Sequence, residues 1–151
     1  MKTVLVTGAT GFLGSHLVRR LVERGGAHVR ALARRPSESL EGLDVEVVAG
    51  DVTGERDRFG DVAPLAGAFR GCEEVYHLAG FVSRDPRDGQ EMMRVHVEGT
   101  KRVLAAAKEA GVRRVVVASS SPGPSAHSLA VGTSSPRSAR HHPRTETSGR
   151  Q

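Results

Sequence analysis

Tryptophan is absent from this chain, tyrosine occurs once, at Tyr76, and aromatic residues make up only 3% of the sequence. A core drawn from 151 residues with 38% hydrophobic content must therefore rest on Val, Leu and Ala packed between layers rather than on large rings. That favours layered α/β architecture, and the length suits one domain. Cysteine also occurs once, at Cys72, which excludes an internal disulfide. No paired Cys/His spacing of a zinc site is present, so no metal site is expected and a reducing compartment is. Long apolar runs are missing too. The apolar start, MKTVLVTGATGFLGS, is interrupted by Gly8, Gly11 and Gly14 before it could become a signal peptide or a membrane span. The chain reads as cytoplasmic, with no membrane partner.

The net charge of +5 invites a nucleic-acid reading, but its distribution argues against one. Residues 1–120 hold 18 Lys and Arg against 16 Asp and Glu, and residues 121–151 hold 4 against 1. No basic stripe interleaved with aromatics appears, which a nucleic-acid surface would use for stacking as well as phosphate contact.

What the chain does contain is alternation. Thr3 to Thr7 is a short β-branched run, the pattern of a strand buried on both faces. Phe12 to Arg24 carries apolar residues at three- and four-residue spacing, an amphipathic helix stopped by Gly25 and Gly26. Strands are then expected at 28–33, 45–48, 75–78 and 115–118, with a short helix at 61–69 and a long one from Gln90 to Ala110 that Gly111 ends. The segment RRPSESLEGL has room only for a turn. Strand and helix in alternation imply a parallel sheet with right-handed crossovers and helices on both faces. From Pro122 the pattern dissolves into Ser, Pro, Arg and His, so the expected organisation is a domain over 1–120 and a disordered tail over 121–151.

The segment VTGATGFLGS places Gly8, Gly11 and Gly14 three apart between the first strand and the first helix. Gly8 suits a sharp turn, Gly11 leaves room for a pyrophosphate against the main chain, and Gly14 permits close helix packing. The helix start adds free N–H groups and a positive dipole end. Strand before and helix after are the context in which such glycines bind a dinucleotide; Gly8, Thr10, Gly11, Phe12, Leu13 and Gly14 are the candidate residues.

The stretch TGATGFLGSHLVRRLVERG resembles the opening of the extended short-chain dehydrogenases/reductases, the NAD-dependent epimerase/dehydratase family. The likeness continues through VRALARRPS, VEVVAGDV, VYHLAG and VHVEGTKRVLAAAKEAGVRRVVVASS, and so covers residues 1 to about 120. Within the family it is similar to nucleoside-diphosphate-sugar epimerase-like and dihydroflavonol-reductase-like members. The resemblance implies a Rossmann-type doubly wound sheet of five strands, order 3-2-1-4-5, truncated relative to the family. It also implies a dinucleotide cofactor, a small-molecule substrate of the full-length enzymes, and possible homodimer pairing through the Gln90 to Ala110 helix.

Where a ribose-binding carboxylate would end the second strand, this chain has Arg34 and Arg35. A guanidinium cannot accept from ribose hydroxyls but can pair with a 2′-phosphate, so NADP is favoured over NAD; two solvated arginines are the plainer alternative. Asp51 matches the family residue that reaches the adenine amino group, with Val52 beside the ring, although Asp51 could equally cap the following loop. Leu78, Ala79 and Gly80 resemble the segment lining the nicotinamide side. His96 stands where the family usually has Asn, which the resemblance implies can support the catalytic relay through a water; His96 could replace it, but it and His77 are read as structural, His96 as partly buried.

Family catalysis uses a Tyr-x-x-x-Lys pair, whose members share one helical face so that the ammonium lowers the phenol pKa, together with a Ser or Thr. The resemblance places that Ser at Ser120. The pair itself is absent: Tyr76 is followed by Gly80 at the fourth position, and no Lys occurs after Lys108. These residues alone are therefore expected to lack turnover. A non-catalytic NADP-binding sensor module and an inert fragment are the alternatives.

Overall fold

A computed structural model of the chain describes residues 1–54 and 65–119. Five strands, β1 (Lys2–Thr7), β2 (Ala27–Ala33), β3 (Glu46–Ala49), β4 (Glu74–His77) and β5 (Arg114–Val117), form one parallel sheet in the order β3-β2-β1-β4-β5. The helices are α1 (Phe12–Arg24), α2 (Leu65–Phe69), α3 (Gly89–Met93) and α4 (Thr100–Glu109), with a π-helical segment, Arg94–Gly99, joining α3 to α4. A single turn of 3-10 helix, Glu38–Leu40, occupies the β2–β3 connection.

Period-two alternation in β1 assigns its side chains to two cores. Leu5 faces Phe69, Val75, Val103 and Ala106, the layer of α2 and α4, whereas Val6 faces Val18, Val29 and Leu40, the layer of α1. Both sheet faces are thus covered, as parallel strands require. Phe69 is the largest fully buried side chain and supplies the bulk that the aromatic-poor composition otherwise withholds.

Strand boundaries differ by one or two residues from those read off the apolar runs, for a physical reason. The first residues of β1, β4 and β5 are charged and pair across the sheet edge: Lys2 Nζ lies 3.1 Å from Glu74 Oε2, and Arg114 lies 3.6 Å from Glu74 Oε1. An apolar-run reading passes over them. The expected long helix is present from 89 to 109 but contains the π segment, which composition does not distinguish from α. The expected helix at 61–69 is described only from Leu65, and the tail lies outside the described residues. No helix among the described residues is long and apolar enough to cross a membrane.

Candidate functional site

The strand order reverses between β1 and β4, so the loops leaving their C-terminal ends diverge and open a crevice. Gly8 turns the chain there at φ +67°; a Cβ on it would stand 2.6 Å from Ala79 N and 2.7 Å from Leu78 C. The β1–α1 loop therefore rests directly on the segment after β4. At Gly14 a Cβ would overlap the Gly8 carbonyl, so this glycine lets α1 pack against its own loop. Gly11 is different: its added Cβ would meet only Gly8 O, at an ordinary 3.4 Å, and its φ is −77°. Neither a left-handed backbone nor packing calls for glycine here; the N-cap position and access to the main chain are the physical reasons that remain. Gly11 is also the N-cap of α1 and offers no side-chain cap, and the first turn of the helix carries no acidic residue. The helix start is thus open to an anion.

The crevice has a volume of about 280 Å³. Of the residues singled out from sequence, Gly8, Thr10, Gly11, Arg34, Asp51, Val52, Leu78, Ala79 and Gly80 line it together. Phe12, Leu13, Gly14 and Arg35 are not part of the lining; Phe12 is 86% exposed and Leu13 58% exposed at the mouth of α1. Ser120 lies outside the described residues. The lining also includes Leu32, Ala33, Gly50, Thr53, Phe81, Glu91 and Val95. Gly50 carried a local signal, since it directly precedes Asp51; in the fold a Cβ on it would strike Leu32 Cδ1 at 2.5 Å. Glu91 and Val95 carried none, because they reach the cleft only through the folding of a distant helix.

Asp51 caps the loop that follows it and also lines the cleft. Its Oδ1 accepts from Thr53 N–H at 2.9 Å, a local turn, while Oδ2 lies 4.0 Å from the Arg34 guanidinium and remains available to the cleft. Arg34 is 74% exposed, so that loose pair restrains it little.

Behind the cleft, His77 is buried between two hydroxyls, with Nδ1 2.7 Å from Thr7 Oγ1 and Nε2 2.9 Å from Thr100 Oγ1. Ala79 N–H donates to the same Thr7 oxygen at 3.3 Å, tying β1, β4 and α4 to the cleft wall. Burial, reinforced by the nearby His96, lowers the His77 pKa from 6.5 to about 4, so the ring is neutral at physiological pH. His96 is exposed rather than partly buried, yet its Nε2 lies 2.8 Å from Phe81 O and 3.2 Å from Phe81 N. Among the described residues no group of three or more His, Cys, Asp or Glu could hold a metal ion.

A glycine loop at the switch point of a five-stranded parallel sheet, opening onto an uncapped helix start, defines a dinucleotide-binding domain of the Rossmann type. The chain belongs to the NAD dependent epimerase/dehydratase family, whose match extends over residues 4–144. It is 48% identical over 120 residues to sterol demethylase protein B of Methylococcus capsulatus, covering 78% of this chain and 34% of that protein. Cinnamoyl-CoA reductase 1 of Oryza sativa subsp. japonica is 44% identical over 126 residues, with coverage of 78% and 34%. The chain spans about a third of the length of these curated relatives. Among solved structures, MoeE5 in complex with UDP-glucose and NAD matches with a TM-score of 0.64 at 36% identity, over 79% of this chain and 36% of that one. A short-chain dehydrogenase/reductase superfamily protein from Agrobacterium tumefaciens with bound NAD matches with a TM-score of 0.63 at 40% identity, over 78% and 32%.

Proposed function

We propose that this chain is the cofactor-binding part of an epimerase, dehydratase or reductase that works by hydride transfer on a carbinol or ketone of a sugar-nucleotide or similar substrate, and that these residues alone bind without turnover. The observation that carries the reading is Gly11, a glycine that the chain's own packing does not require, at the open start of α1. When bound, the nicotinamide would supply the hydride acceptor or donor. The main-chain N–H groups at the start of α1 hold the pyrophosphate, with Thr10, Phe12 and Leu13 flanking it. Asp51 accepts from the adenine amino group through Oδ2, Val52 flanks the ring, and Leu78 to Gly80 back the nicotinamide half. Ser120, just beyond β5, orients the substrate oxygen.

NADP is the preferred cofactor in this proposal, because Arg34 enters the cleft lining at the end of β2 and no carboxylate stands there in its place. Both matched structures named above carry NAD, so the preference rests on Arg34 alone. Titration of the purified chain with NADPH and NADH tests the whole reading. Binding of NADPH at least about tenfold tighter than NADH is expected from one charge-assisted pair. Equal or tighter NADH binding would remove the NADP preference, and no binding of either would remove the dinucleotide reading. Hydride transfer by these residues would refute the expected lack of turnover.

A second reading is a non-catalytic NADP-binding module built on the same cleft. It predicts the same titration but no substrate chemistry even when the chain is supplied with downstream family sequence. The α3–α4 helix exposes Met93 and Leu104, which supports homodimer pairing along it; light scattering that finds only monomer would dismiss this.

A further inference from the structure

We propose that His96 is a positioning residue of the dinucleotide cleft: its ring clamps the main chain of Phe81 and so holds the wall formed by Leu78, Ala79 and Gly80. The proposal rests on the dinucleotide reading above. It begins from an asymmetry in how that wall is held. At its near end, Ala79 N–H is fixed by Thr7 Oγ1, which His77 and Thr100 hold from behind. At its far end the chain leaves β4 without strand or helix until Pro86, and Phe81 and Val82 follow the cleft residues directly. There the His96 ring stands against both polar groups of one residue, Phe81 O at 2.8 Å and Phe81 N at 3.2 Å.

One ring nitrogen faces both groups. With a proton on Nε2 it donates to the Phe81 carbonyl; without one it accepts from the Phe81 N–H. Either state keeps the ring on Phe81, so the clamp does not depend on a single tautomer. Gly80 completes the fit, since a Cβ there would stand 3.0 Å from His96 Cε1, and its missing side chain lets the ring approach. The imidazole comes from the π-helical segment Arg94–Gly99, and π segments recur at functional sites. On the same segment Gly99 packs so close to Val52 that a Cβ would lie 3.0 Å from Val52 Cγ2. The segment thus touches the cleft wall on the adenine side through Val52 and on the opposite side through Phe81.

Asparagine presents a donor and an acceptor together and can serve the same two backbone groups, so His96→Asn should preserve the clamp while His96→Ala removes it. NADH and NADPH titrations, thermal melting and amide exchange at Phe81 are measured on the wild-type chain and both variants. For His96→Ala the expected result is dinucleotide affinity weakened about fivefold to tenfold, faster exchange at the Phe81 amide and an unchanged melting midpoint. His96→Asn should bind within about twofold of wild type, in line with restored pairing. Wild-type affinity in His96→Ala, or an Asn variant as weak as the Ala variant, would overturn the clamp while leaving the dinucleotide reading intact. Failure of the wild-type chain to bind either nucleotide would overturn that reading, and the proposal with it.

Discussion

Gly11 and Gly14 look alike in sequence but should fail in different ways when given a methyl group. At Gly14 the added Cβ overlaps the Gly8 carbonyl, backbone that cannot move without shifting the β1–α1 loop. Overpacking of that kind costs about 1–3 kcal/mol of stability, so Gly14→Ala should melt well below wild type. At Gly11 the Cβ meets only Gly8 O, at 3.4 Å, and φ is −77°, a value alanine adopts freely. Gly11→Ala should therefore lose at most about 1 kcal/mol, the difference between glycine and alanine at an N-cap, and so less than Gly14→Ala. Its main cost should appear in binding. If the methyl displaces a pyrophosphate from one or two main-chain N–H groups, the loss is about 2 kcal/mol, or roughly 30-fold in dissociation constant. Urea denaturation of the free chain and NADPH fluorescence titration measure the two quantities separately. A Gly11→Ala chain that binds NADPH as tightly as wild type, or that loses as much stability as Gly14→Ala, would refute the assignment of Gly11 to ligand access.

His77 should give the domain a stability that falls with acid: its folded pKa of about 4 lies below the ordinary 6.5, so the contribution is complete above pH 6.5 and is lost as pH falls through 4. The full loss is about 3 kcal/mol, seen as a steeper pH dependence of the urea midpoint in wild type than in His77→Asn; parallel curves would contradict the buried neutral ring. Phe69→Ala should cost about 3–5 kcal/mol, because it removes a large, fully buried side chain from the layer of α2 and α4, and a loss under about 1 kcal/mol by chemical denaturation would mean the α2 layer is not packed as described. Arg34→Ala should weaken NADPH about tenfold and leave NADH within about twofold, and equal losses for both nucleotides would assign the arginine to general charge attraction instead.

The parts of the fold that were legible in sequence are those whose cause is local. The β1–α1 loop could be read because the turn at Gly8 and the helix packing at Gly14 are demands made within a few residues. The parallel sheet followed from alternation, whereas its strand order came from the family resemblance. Legibility ended where the cause was distant. Glu74 begins β4 because Lys2 and Arg114 pair with it from two other strands, and no window around Glu74 contains either. His96 was read as a partly buried structural residue, whereas the fold leaves it exposed and turns it on Phe81, fifteen residues back. Phe12 and Leu13 fit the apolar period of α1 and were also cleft candidates, yet they stand exposed beside the crevice rather than in its wall. Periodicity gives the face a residue occupies on its own helix, not which neighbouring segment comes to meet it.

The cleft also divides the chain functionally. Among the described residues, those that line it lie at or before Val95 and come from the ends of β1, β2, β3 and β4 and from the start of the α3–α4 helix. β5 contributes nothing to that wall; its described role is to pair with β4, through Val75↔Val115 and the three neighbouring register pairs. Among the described residues, the surface proposed to bind a dinucleotide draws nothing from the strand that leads to Ser120. In the proposed function, cofactor affinity belongs to the loops around Gly11 and Asp51, and the hydroxyl that orients the substrate is that of Ser120. Substitution of Ser120 should leave NADPH affinity unchanged, whereas Gly11→Ala, Arg34→Ala and His96→Ala should each weaken it.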